Sequence, residues 1–314
     1  MDHVFTVTFR GVRGSVPVPG STTLKYGGNT SCVQVDVLGH TVILDAGTGI
    51  IPLGQQLVKN YFASGDAAKN KRLNVVLLLS HTHHDHLMGL PFFAPLFVGN
   101  VSLFIYGPSV YGPITDGRTD LPYVLEMLMD QMFFPIDLKE TNSRKSISTL
   151  QAFDQVLLTE GSTEPELVNL QKDYKVTFKD KVIISQYRSM AHPKNGVVIY
   201  KLQFGGKSVV YATDVEGYAM GDRRLVQFAK GADLLIHDSQ YTEEQYTGAF
   251  STQGFGHSTA EMACQIAQEA GVKQLALFHH DPNHNDEMVQ KKEEKARSIF
   301  NGAFCAAEGQ VVTL

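Results

Sequence analysis

Tryptophan is absent from the 314 residues, and cysteine is scarce: three, at 32, 264 and 305, with no C-x-x-C spacing. Such scattered thiols exclude a disulfide framework and a thiolate zinc site, and they fit a reducing compartment. No apolar run approaches the roughly 18 residues that a membrane span needs. The opening MDHVFTVTFRG alternates like a strand and lacks the basic and apolar regions of a secretory signal, so a cytoplasmic location without membrane partners is expected. Excess positive charge is missing too: 27 Lys+Arg against 32 Asp+Glu leaves −5, whereas a chain that grips nucleic acid through a broad basic surface leans the other way. Hydrophobic residues at 43% exclude wholesale disorder. With no linker, low-complexity stretch or short-period repeat, the expectation is one domain over 1–314.

What is present first is a set of β runs. Strands are expected at 4–10, 32–37 and 41–45, then a helix at 50–62. LNVVLLL at 73–79 is a continuous apolar run, as in a strand buried on both faces. Further strands are expected at 101–106, 174–178, 182–188, 197–204, 207–214, 233–237 and 273–279, and helices at 121–131, 221–230, 258–271 and 285–300. Ser258 and Glu261 read as a capping box, with Gly271 as the stop. Strand-rich halves with helices between them suggest an α/β fold of two face-to-face sheets with helices outside. Residues 107–172 are the least legible, a candidate insertion, substrate cap or dimer contact.

Histidine is the unusual abundance: 12 in all, four of them within His81-Thr82-His83-His84-Asp85-His86. This run begins where a buried strand ends, and strand ends are where loops present site residues. His81 and His83 can turn toward one metal, Asp85 and His86 toward a second, while His84 faces solvent. Imidazole and carboxylate suit Zn first, with Mn or Fe(II) as alternatives. One loop cannot fill two coordination spheres, so further donors are sought at other strand ends. His192, Asp214 and His279 each follow a β run. Bland alternatives stand beside each: a turn histidine next to Pro193, a turn-capping aspartate, and His280 in place of His279 in FHHDP.

HTHHDH, with His192, Asp214 and His279 in order behind it, resembles the metallo-β-lactamase-fold hydrolases. Within them the chain is similar to the phosphodiesterase branch that includes the tRNA 3′-endonuclease tRNase Z and small cyclic-phosphate diesterases. The resemblance runs from about residue 4 to residue 282, apart from the 107–172 segment. It implies a four-layer αββα sandwich and two divalent cations. His81, His83 and His192 would hold one, Asp85, His86 and His279 the other, with Asp214 bridging. GHST at 256–259 resembles a catalytic loop of tRNase Z, which puts His257 over the substrate as a proton donor; its plain alternative is a residue leading into the next helix. Asp45 in ILDAGTG reads as support behind a ligating histidine. His237, with Asp238, reads either as another such support or as a satisfied buried pair. The glycine- and proline-rich loops GVRGSVPVPG (11–20) and YGGNTSC (26–32) fall near the active-site rim of the family. Arg13, Asn29, Thr30 and Ser31 are candidate substrate contacts there, although turn chemistry explains these loops equally well.

The expected reaction is hydrolysis of a phosphodiester: a water held between two cations and lowered in pKa supplies the attacking hydroxide, with Asp85 also orienting it and His257 serving the leaving group. The tRNase Z enzymes carry a protruding Gly/Pro-rich arm, and none is evident in 107–172. That and the acidic charge favour a small or cyclic phosphodiester over nucleic acid. The alternatives are tRNA 3′ processing, a lactone or thioester hydrolase of the same fold, or a non-catalytic relative that binds nucleotide or protein. A homodimer is also expected. Phe92, Phe93, Phe133, Phe134 and Tyr241 could stack a base, with core packing as their chief role.

Overall fold

In an extended strand successive side chains point to opposite faces, so a strand apolar on both parities must be covered on both sides. Val76 and Leu78 join one buried cluster while Val75 and Leu77 join another, and Val198, Tyr200 and Leu202 part in the same way from Val197 and Ile199. The layering follows from this alternation. A computed structural model describes residues 4–65, 72–110, 120–217 and 222–314.

In chain order the elements are β1 (Thr6–Gly11), β2 (Cys32–Val37), β3 (His40–Leu44), α1 (Ile50–Ala63), β4 (Leu73–Leu78), α2 (His84–Leu87), β5 (Val101–Gly107), α3 (Leu121–Leu128), β6 (Arg144–Thr149), β7 (Asp154–Thr159) and β8 (Glu166–Asn169). They continue with β9 (Lys181–Ser189), β10 (Val197–Phe204), β11 (Lys207–Ala212), α4 (Arg223–Ala229), β12 (Leu234–Asp238), α5 (Glu243–Thr247), α6 (Ala260–Ala270), β13 (Gln274–Phe278), α7 (Asp286–Ile299), β14 (Ala303–Cys305) and β15 (Val311–Thr313). One sheet runs β15-β1-β2-β3-β4-β5-β6, the other β14-β13-β12-β11-β10-β9-β7-β8. Phe9, Val35, Leu78, Tyr200, Tyr211, Ile236 and Phe278 meet between the sheets. Ile50, Leu53, Leu121 and Leu125 cover the outside of the first sheet, and Leu225, Ala263, Ile266 and Val289 the outside of the second. The result is the αββα sandwich of the metallo-β-lactamase type.

The topology positions the site. β3 through β6 are parallel, as are β11 through β14. β9 runs antiparallel to β10 and so along β11. Parallel strands deliver their carboxyl ends to one edge, where such sheets bind ligands.

Three local readings change. Residues 174–178 form no strand: the chain leaves β8 in a turn, with the Lys172 and Asp173 N–H groups on the Asn169 carbonyl, and runs irregularly to β9. Helix α6 is capped one residue later than expected, by Thr259, whose hydroxyl accepts from the Met262 N–H. Ser258 is engaged elsewhere, donating to the Val215 carbonyl and accepting from the Gly217 N–H. The described part of 107–172 is woven into the sandwich, extending one sheet by β6 and the other by β7 and β8; residues 111–119 lie outside the described residues.

Candidate metal centre

The ends of β4, β9, β11 and β13 bring seven side chains together. His81, His83 and His192 form one cluster of ring nitrogens, and Asp85, His86, Asp214 and His279 another, with the donor atoms of each within 4.8 Å of one another. In the first, His83 Nδ1 and His192 Nε2 lie 3.0 Å apart. In the second, the Nε2 atoms of His86 and His279 face each other at 3.3 Å, and Asp85 Oδ2 stands 3.3 and 3.2 Å from them. Asp214 stands between. Its Oδ1 is 3.2 Å from His86 Nε2 and 3.3 Å from His279 Nε2, and its Oδ2 is 3.6 Å from His81 Nε2 and 3.7 Å from His192 Nε2. One carboxylate thus turns one oxygen to each cluster.

These contacts leave donors without conventional partners. The buried His81 Nε2 makes no hydrogen bond, and pairs of ring nitrogens abut that only a shared proton or a shared cation reconciles. Imidazole nitrogen with carboxylate oxygen is the donor chemistry of Zn, Mn or Fe(II), so the residues present fit a divalent cation at each cluster. Burial first, then the neighbouring imidazoles, pushes His81 and His83 below the usual histidine range; burial also lowers His192, with Asp214 opposing it. A lowered pKa keeps these rings neutral, the form that ligates. His86 departs from this: burial opposes its charge, but Asp214, Asp85 and Asp45 outweigh burial and raise it. Loading that cluster would therefore release a proton.

The surroundings hold the rings in place. His86 Nδ1–H donates to Asp45 Oδ2 at 2.8 Å, which leaves Nε2 facing inward. Asp45 also accepts from the Ser80 N–H and hydroxyl and from the Tyr211 hydroxyl. His192 Nδ1–H donates to the Gly256 carbonyl at 3.0 Å. Asp45, Asp214 and His279 all adopt left-handed backbone, at φ 62, 52 and 59°. That conformation is uncommon outside glycine, although Asn, Asp and His enter it more readily than most, and it costs on the order of 1 kcal/mol or more at each position. Its concentration here marks strand ends bent to aim side chains at one point.

Residues 40–280 match the family profile described as Beta-lactamase superfamily domain. The chain belongs to the beta-lactamase superfamily. It is 29% identical to a "Ribonuclease Z" of Picrophilus torridus, covering 98% of this chain and 95% of that protein. Among solved structures it resembles the metallo-beta-lactamase fold protein YhfI from Bacillus subtilis, with TM-score 0.62 and 22% identity over 100% of both chains. It also resembles human tRNase Z, short form, with TM-score 0.59 and 20% identity over 98% of each. The chain is thus a metal-dependent hydrolase of this superfamily.

Within that superfamily fold, a groove of about 420 Å³ opens over the two clusters, walled by His83, His84, Asp85, His192, Phe255 and His257 among others. His257 Nδ1–H donates to Asp238 Oδ2 at 2.7 Å, and its ring stacks on His279 with centroids 5.0 Å apart. Burial opposes the charged ring, but Asp238 outweighs it and pushes the pKa up to about 9. His279 faces the centre. His280 turns away, its Nε2 on the Ala306 carbonyl at 3.0 Å.

Several expected contacts are elsewhere. Arg13 is fully buried and donates to the carbonyls of Gly27, Asp281 and His284. Asn29 is committed to Glu308, Thr30 exchanges hydrogen bonds with Thr48, and the Ser31 hydroxyl reaches the Arg13 carbonyl. All four brace the loops internally, and none lines the groove. His237 donates from Nδ1 to the neighbouring Asp238 carbonyl at 2.7 Å; the carboxylate of Asp238, not His237, supports the site. Phe93 is core and Tyr241 is nearly buried, whereas Phe92 and Phe133 are exposed. Ser15, whose N–H donates to Asp85 Oδ2 at 2.7 Å, and Phe255 escaped the sequence reading, because only tertiary contacts bring their loops to the site.

Proposed function

We propose that this chain is a two-metal phosphodiesterase that cuts RNA, as an endonuclease of 3′ processing. The observation that carries the phosphodiesterase reading is Asp214, one oxygen toward each cluster, beneath a groove on which His257 is held by Asp238. When bound, two divalent cations, Zn first, neutralise phosphoryl oxygens and lower the pKa of a water toward neutrality. His81, His83 and His192 would hold one and Asp85, His86 and His279 the other, with Asp214 offering an oxygen to each. Asp45 fixes the ring of His86, and the Ser15 N–H orients Asp85. His257, held by Asp238 on the groove wall, would give a proton to the departing ribose oxygen.

The RNA part is supported by the relatives: that of Picrophilus torridus and that of Saccharolobus solfataricus, 26% identical over 88% of this chain, are both named Ribonuclease Z. They put RNA ahead of the small diester that composition favours. The small diester remains the second reading, supported by the net charge of −5 and the modest groove. Incubating the zinc- or manganese-loaded protein with a tRNA precursor and, separately, with 2′,3′- and 3′,5′-cyclic nucleotides and a lactone panel decides between them. Cleavage of the precursor near its 3′ end supports the first reading. Turnover of cyclic nucleotides alone selects the second, and turnover of a lactone alone rejects both.

A further inference from the structure

The loop between α5 and α6 carries two phenylalanines in water: Phe250 is 95% exposed and Phe255 59%. Phe255 is also a wall of the groove over the metal centre, two residues before His257. It is fixed there. Glu216 accepts the Gly254 N–H at 2.7 Å and the Gly256 N–H at 3.0 Å, one on each side of Phe255, and the Tyr246 hydroxyl at 2.8 Å. Both glycines are left-handed, at φ 83 and 88°. A Cβ on Gly256 would stand 2.3 Å from His192 Nδ1 and 2.5 Å from a Pro193 carbon, so the backbone beside Phe255 is seated against the segment that carries His192.

We infer that Phe255 is a stacking platform for the nucleobase next to the scissile phosphate in a single-stranded stretch of RNA. A phosphoryl group gains nothing from a phenyl face, whereas every base has a π-face that an aromatic ring can cover, and single strands leave that face open. A platform fixed at the rim, with the proton-donating histidine two residues along, places a base while the phosphate sits over the clusters. Stacking is indifferent to base identity, so the subsite takes any of the four. This inference rests on the RNA reading of the same site and adds the position and strandedness of the nucleotide it grips.

The test is a cycle between protein and substrate. Wild type and Phe255→Ala are compared on a cleavable RNA and on the same RNA with an abasic ribose placed in turn on either side of the scissile phosphate. Phe255→Tyr and Phe255→Trp serve as conservative variants, and fluorescence of 2-aminopurine at the flanking position reports stacking without turnover. At 1–3 kcal/mol per stacked base, Phe255→Ala lowers kcat/KM about 5- to 150-fold on intact RNA. Removing the base and the ring together costs no more than removing either. Tyr and Trp retain the rate, and 2-aminopurine is quenched by wild type but not by Phe255→Ala. Equal losses on intact and abasic RNA at both positions, or quenching that survives Phe255→Ala, overturn the platform while leaving the RNA reading standing. A wild type that cuts no RNA yet hydrolyses a cyclic nucleotide or a lactone removes the RNA reading, and the platform falls with it.

Discussion

The two halves of the metal centre are built differently. Asp85, His86, Asp214 and His279 are all buried, His86 is backed by Asp45, and Asp45 is itself tied to Ser80 and Tyr211. In the other half His83 is exposed and stands with His192 on the groove wall. The difference lies in one side chain. Both clusters line the groove, through Asp85, Asp214 and His279 as well as His83 and His192. Of the seven only His83 is exposed, so it offers substrate the most open approach.

The predictions press on that contrast. The largest effect belongs to the residue common to both halves: Asp214→Ala should lower hydrolysis of bis(p-nitrophenyl) phosphate by roughly a thousandfold or more, since metal stabilisation of the transition state is worth several kcal/mol. Undiminished turnover would dissolve the shared-oxygen scheme. Next come the halves taken separately. His86→Ala leaves the buried Asp45 without its imidazole, and breaking such a buried pair costs on the order of 3–5 kcal/mol. His83→Ala, at an exposed position, should cost less than about 1 kcal/mol of stability while still emptying its cluster. Denaturant unfolding with metal counted by elemental analysis separates them, and equal destabilisation would erase the asymmetry. Asp45→Asn should weaken cation affinity of the buried half about 10- to 100-fold by chelator competition, with the open half little changed.

A further effect lies behind the centre. Burial, and after it the Lys292 ammonium, lowers His284 from 6.5 to about 4. The folded ring stays neutral where the unfolded one takes up a proton. Its share of stability is therefore fully present above pH 6.5 and drains as pH falls toward 4. By pH 5 the loss is about 2 kcal/mol. Between pH 7 and pH 5 the unfolding free energy of wild type should fall by about 2 kcal/mol more than that of His284→Gln, and parallel curves would refute it.

Much of this was legible in the sequence for identifiable reasons. A doubly apolar strand must be buried, so HTHHDH at its end had to emerge at the sheet edge, and the same logic led to His192, Asp214 and His279. Parity hid Asp238. His237 and Asp238 end one strand, and their side chains point to opposite faces, so the sequence alone offered the pair without saying which faced the groove. Arg13, Asn29, Thr30 and Ser31 sit in loops of the right composition, yet their donors and acceptors are consumed by Gly27, Glu308, Thr48 and the Arg13 carbonyl. Phe255 carries no periodic signal at all, and its position depends on Glu216, 39 residues earlier in the chain.

The most direct test of the central claim is anomalous X-ray diffraction from crystals of the zinc-loaded protein, measured on either side of the zinc edge. The account predicts two peaks about 3.5–4 Å apart, one beside His81, His83 and His192 and the other beside Asp85, His86 and His279, with the two Asp214 oxygens pointing one to each. A single peak, or two with Asp214 bound to neither, would contradict it.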